Sequence, residues 1–130
     1  MNREEFTKYI LEGYICKADN PWKNNPDYTV FRHPNNKKWF ALIMNIPKSY
    51  LGISEEGSID IVNMKCDPML IGSLLQEEGF YRAYHMNKEH WITVALDGSA
   101  ADDEIKMVLD MSFESTEMKR VNLALIEHSK

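Results

Sequence analysis

Six consecutive residues, Trp91-Ile92-Thr93-Val94-Ala95-Leu96, constrain this chain more than any others. Aromatic and β-branched side chains crowd a helix but stand freely on a pleated surface, so the run predicts a core strand. Asp97-Gly98 then turns the chain, and Ser99 offers a hydroxyl to cap a following helix. Upstream, Asn87-Lys88-Glu89 reads as a polar turn and Phe80 to Met86 as the partner arm. One stretch therefore holds a hairpin, a core strand and a helix start. A tight hairpin requires antiparallel pairing, and the helix after it must bury its apolar stripe on the sheet.

The rest of the chain repeats this grammar. Asn2 to Lys17 spaces Phe6, Tyr9, Ile10 and Tyr14 as a helix does, with Asn2 and Glu5 in capping positions. Ala18 to Tyr28 contains Pro21 and Pro26 and reads as a loop, with Trp22 plugging one end of the core. Tyr28 to His33 and Trp39 to Asn45 are strand arms around the turn Pro34-Asn35-Asn36-Lys37-Lys38. Ser49 to Gly57 is a polar connection. Ser58 to Cys66 is a third strand, with Ile59, Ile61 and Asn63 on one face and Asp60, Val62 and Met64 on the other. Asp67-Pro68 opens a helix that runs to about Glu78 and stops at Gly79. The third helix carries Asp102, Asp103 and Glu104 at its positive end and an apolar stripe of Ile105, Val108, Leu109 and Phe113. Residues 116–130 read as a further short helix or a tail. The order α-β(3)-α-β(2)-α predicts an α+β fold of two layers. It has an antiparallel sheet with helices on one face, formed as a single domain over residues 1–130.

A net charge of -5 excludes general coating of nucleic acid, because that affinity comes from many cations neutralising phosphates. The charge is unevenly spread, however. Residues 21–48 carry Lys23, Arg32, Lys37, Lys38 and Lys48 against Asp27, whereas residues 97–130 carry eight acids against four cations. Cys16 and Cys66 are too far apart in sequence for a CxxC pair and read as two reduced thiols. No basic start leads into an apolar run, and no stretch approaches a membrane span. A soluble cytoplasmic protein with no membrane partner is the expectation.

Motifs for chemistry are scarce. The chain has no glycine-rich phosphate loop and no GxSxG elbow. Cys66 precedes a helix start, where a thiolate can be stabilised, but no partner makes it a nucleophile and a buried thiol is the plainer reading. His85 and His90 flank one turn and could meet Cys66, yet the spacing matches no standard zinc site. The acid pairs Glu55-Glu56, Glu77-Glu78 and Asp102-Asp103 fit solvated faces and caps. No catalytic residue, metal or cofactor is expected, and binding is favoured over catalysis. The binding candidates surround the two turns. They are Arg32, His33, Lys37, Lys38 and Trp39 at the first, and Arg82, Tyr84, His85, Lys88, His90 and Trp91 at the second. Cations beside rings can grip phosphates and stack on bases. Taken singly, each turn is better explained by solvated lysines and core tryptophans.

Several segments resemble the MmcQ/YjbR family: Pro21-Trp22, Tyr28 to His33, Asn36 to Ile43, Val62 to Pro68 and His85 to Val94. The similarity runs to about Thr116. It implies a compact fold like that of secretion chaperones, with the element order read above. It also implies DNA as a partner, gripped by the two hairpins as paired wings, and no catalytic residues to carry over. The alternative partner is another protein, with the chain as an interaction or chaperone-like adaptor using an open sheet face or edge. A small-molecule or metal-dependent enzyme centred on His85, His90 and Cys66 ranks third.

Overall fold

In a computed structural model, which describes residues 1–117, three helices pack on one face of a six-stranded antiparallel sheet. The sheet order is β1-β2-β3-β4-β6-β5, with β1 Lys17–Asp19, β2 Thr29–Arg32, β3 Trp39–Pro47, β4 Ser58–Lys65, β5 Phe80–Arg82 and β6 Trp91–Ala95. The helices are α1 Arg3–Gly13, α2 Pro68–Leu74 and α3 Asp102–Thr116. The predicted α+β class and the placement of the helices hold. The sequence readings on residues 118–130 lie outside the described residues.

Local chemistry explains the starts of α1 and α2. Asn2 Oδ1 accepts from the Glu5 amide at 2.8 Å, and Glu5 returns a carboxylate to the Asn2 amide at 2.9 Å. Asp67 accepts from the Met69 amide at 2.9 Å, with Pro68 at the first helical position. Other boundaries differ from the sequence reading. α1 ends at Gly13, not Lys17, and Lys17–Asp19 becomes an added edge strand on β2. That strand has no apolar periodicity of its own; the backbone of β2 supplies its partners. α2 stops at Leu74, four residues short of Glu78. Ser99 does not cap α3. Its amide and hydroxyl close a turn on Asp97, and Ala101 takes the cap position with no side-chain bond.

Alternation divides the core in two. Phe31, Ile43, Val62, Met64, Ile92 and Val94 face the helices and meet Phe6, Ile10, Ile71, Ile105, Val108 and Leu109. Val30, Leu42, Met44, Ile59, Ile61 and Ala95 face the other way, under Trp22, Tyr28, Trp39, Leu51, Tyr81 and Tyr84. The second face is thus roofed by loops and aromatic rings. A bulge helps to make this possible. Phe31 pairs with Ala41 but Arg32 pairs with Trp39, so Phe40 is the extra residue. Phe40 and Ala41 both enter the helix-side core, and Trp39 returns to the open face.

Candidate functional site

The register places both hairpin turns at one end of the sheet. Met64 of β4 lies opposite Ala41 on one side and Ile92 on the other, and Lys65 lies opposite Trp91. The turns that precede β3 and β6 therefore leave the sheet where β4 finishes. On the helix-free face of this end stand Lys17 opposite Arg32, Arg32 opposite Trp39, and Lys65 opposite Trp91. Cations and indoles from five strands share one margin.

The first turn is closed and firmly anchored. The His33 amide donates to the Lys38 carbonyl at 3.0 Å, and the Lys37 amide to the His33 carbonyl at 2.9 Å. Lys37 takes a φ of 62°. Lys37 and Lys38 are exposed. Two of the predicted contact residues have other work. His33 is only 3% exposed, with its ring 4.5 Å from Phe113 and its Nε2 2.7 Å from the Thr116 hydroxyl. Burial lowers its pKa, which keeps the imidazole neutral and away from any phosphate. Arg32 is half-buried. Its Nε donates to Asp19 at 2.8 Å, and its guanidinium lies 5.3 Å from the Trp39 ring. Trp39 in turn meets Trp22 edge-on at 5.4 Å. The indole belongs to the aromatic roof as the sequence default held, although it is half-exposed.

The second turn is longer and differently held. The predicted arm to Met86 ends at Arg82, and residues 83–90 double back over the helix-free face. The anchor is a buried polar pair. The Tyr84 amide donates to the Thr93 hydroxyl at 2.9 Å, that hydroxyl donates to Asn63 Oδ1, and Asn63 Nδ2 donates to the Tyr84 carbonyl at 2.8 Å. Asn63 and Thr93 are fully buried cross-strand neighbours, so the polar residue inside an apolar strand is there to hold this loop. His85 takes a φ of 56°, and Arg82, His85, Lys88 and His90 are all exposed. Trp91 is half-buried.

A groove of about 740 Å³ runs between this loop, edge strand β5, α2 and the 3-10 turn Lys48–Leu51. Tyr50, Tyr81, Tyr84, Arg82, His85 and Lys88 line it, and among the described residues no carboxylate does. Tyr50 is 60% exposed and stacks on Tyr84, with centroids 5.7 Å apart and planes at 26°. Burial, with the neighbouring hydroxyls of Tyr28 and Tyr50, raises the Tyr84 pKa and keeps its phenol a neutral donor.

Sequence reasoning missed Lys17, Lys65 and Tyr50. Lys65 was findable, since alternation from Met64 turns it outward at a strand end. Tyr50, in a connection without periodicity, gave no signal. Cys66 is buried, and burial with the nearby Asp67 carboxylate pushes its thiol up to about 11, the opposite of an activated nucleophile. Its amide donates to the His90 carbonyl at 2.8 Å, while His85 and His90 are exposed and the His85 ring packs 4.0 Å from Tyr84. Among the described residues, no three His, Cys, Asp or Glu side chains are grouped to hold a metal ion, and no helix is long and apolar enough to cross a membrane.

A two-layer α+β domain with one helix-covered face and one face of rings and cations is the class these features define. Residues 11–115 match the profile of the YjbR family, and the chain belongs to that family. An uncharacterised Bacillus subtilis protein, YyaQ, is 40% identical over 116 residues, spanning 89% of this chain and 98% of its own. A crystal structure of a Pseudomonas syringae protein superposes with a TM-score of 0.87 at 47% identity, covering 90% of this chain and all of that one. A Deinococcus radiodurans protein shares the fold at a TM-score of 0.67 and 21% identity, over 91% of this chain and 80% of its own.

Proposed function

We propose that this chain acts as a single non-enzymatic domain that binds DNA through the basic end of its sheet. The observation that carries this is the convergence of the two turns, separated by more than forty residues of sequence, on one margin. Lys37, Lys38, Arg82 and Lys88 supply exposed cations there, with Lys17 and Lys65 added by the strand register. Arg32 supports the surface from beneath through Asp19 and Trp39, and His33 holds the first turn on α3. Carboxylates stand among these cations, with Asp19 on Arg32, Asp67 just after β4, Glu89 in the second turn and Glu117 near His33, so affinity is modest and depends strongly on salt. The two free cysteines fit a reducing cytoplasm.

The test is binding to a short fluorescent duplex at two salt concentrations, beside a Lys37→Glu/Lys38→Glu/Lys88→Glu variant. Binding that falls steeply with salt and is lost in the folded variant supports the reading, and the salt slope reports the phosphates neutralised. An absence of binding by micromolar protein at low salt overturns it in favour of a protein partner.

A further inference from the structure

The groove beside β5 is cut for something the duplex reading does not use. Its lining combines three tyrosines with Arg82, His85 and Lys88. Tyr50 is more than half exposed although its ring is stacked on Tyr84, so one aromatic face is held in orientation and left open. The Tyr84 backbone is tied to Thr93 and Asn63, and its ring is packed between Tyr50, 5.7 Å away, and His85, 4.0 Å away. The floor is therefore preorganised, which lowers the cost of ordering on binding.

The charged lining of the groove is basic. Arg82 ends β5, His85 and Lys88 follow on the loop, all three are exposed, and among the described residues no carboxylate lines the groove. An occupant with an anionic part for these side chains and a flat part for the Tyr50 ring fits that lining. A base in a duplex keeps both faces stacked on its neighbours and cannot lie on a tyrosine. An unpaired nucleotide can.

Building on the DNA-binding reading, we infer that the groove takes an unpaired nucleotide of a single strand. The base lies on the Tyr50–Tyr84 stack and the phosphate meets Arg82, His85 and Lys88. The preferred nucleic acid is then a strand that is single at the second turn, with the cations of the first turn following its backbone.

The experiment compares a fluorescent ten-residue oligothymidylate with a duplex of equal length, using wild type, Tyr50→Ala and Tyr50→Phe. Because Tyr50 is exposed, neither substitution disturbs the core, and circular dichroism confirms folding. Loss of one base–aromatic stack predicts about tenfold weaker oligothymidylate binding by Tyr50→Ala. Tyr50→Phe stays near wild type and duplex binding is unchanged. Equal oligothymidylate affinity for wild type and Tyr50→Ala, with duplex binding intact, overturns the groove assignment and leaves the DNA-binding reading standing. Binding of neither nucleic acid at low salt overturns both. An acidic extended peptide that binds along β5, with no oligothymidylate binding, also overturns it and marks the groove as a strand-addition site.

Discussion

The two hairpin turns have nearly the same ingredients and use them differently. Both carry an Arg, a His, a Lys and a Trp, and each has one non-glycine residue at positive φ, Lys37 in one and His85 in the other. The first turn spends its polar groups on structure. His33 lies in the core, Asn36 donates to the Thr116 carbonyl at 2.8 Å, and Arg32 pairs with Asp19. α3 thus anchors the turn and leaves two lysines free at the tip. The second turn exposes its Arg, Lys and both His, and borrows its anchor from Asn63 and Thr93 on the sheet. Composition therefore nominates a surface, but a side chain reaches solvent only where another residue supplies the anchor.

Substitutions can break this contrast. The largest effect is expected at Asn63→Ala. It leaves the Tyr84 carbonyl and the Thr93 hydroxyl without their buried partner and opens a small cavity, costing about 2–4 kcal/mol. Urea denaturation measures the loss, and hydrogen exchange localises loosening to residues 83–90 and not to the first turn. A change below 0.5 kcal/mol, within the usual range of surface substitutions, removes the anchor role.

Next comes His33→Gln, expected to cost about 1–2 kcal/mol at neutral pH through the lost ring packing and the bond to Thr116. This effect depends on pH. The folded pKa is lowered, so in acid the unfolded chain takes up the proton first. The stability due to His33 is whole above the unfolded value of about 6.5 and declines as pH falls through the folded value. The gap in Tm between wild type and variant should therefore narrow from pH 7.5 to pH 5. A gap that widens contradicts the burial argument.

Arg32→Ala should cost less, about 0.5–1 kcal/mol, since the pair with Asp19 is partly solvated. Its diagnostic consequence is fraying of β1, seen as faster amide exchange at Lys17 to Asp19, because the pair ties that edge strand to β2. The smallest effect sharpens the comparison from the other side. Lys37→Gly relieves a positive φ in a turn whose side chain is solvated and should stabilise by about 0.5 kcal/mol. The same change at His85 should also relieve the backbone but remove a groove residue, so His85→Gly weakens oligothymidylate binding more than duplex binding, whereas Lys37→Gly, which removes one proposed phosphate contact, weakens both and lowers the salt slope.

The sequence by itself determined the elements that local chemistry enforces. The caps at Asn2 and Asp67, the strand from Trp91 and the stripe on α3 follow from atoms a few residues apart, so they were legible without the fold. The same holds for the antiparallel class, the helices on one face and the alternation in β4 that set Asn63 apart from Val62 and Met64. Tertiary structure alone decided which polar residues stay wet. Nothing near His33 in sequence announces Phe113 and Thr116, eighty or more residues away, and nothing near Tyr50 announces Tyr84. Strand β1 was illegible for a related reason: its stability comes from hydrogen bonds to a neighbour and not from an apolar pattern of its own. Local propensity falls off within a few residues. Burial and pairing, which assign each cation to the core or the surface, depend on whatever the chain brings back from far along its length.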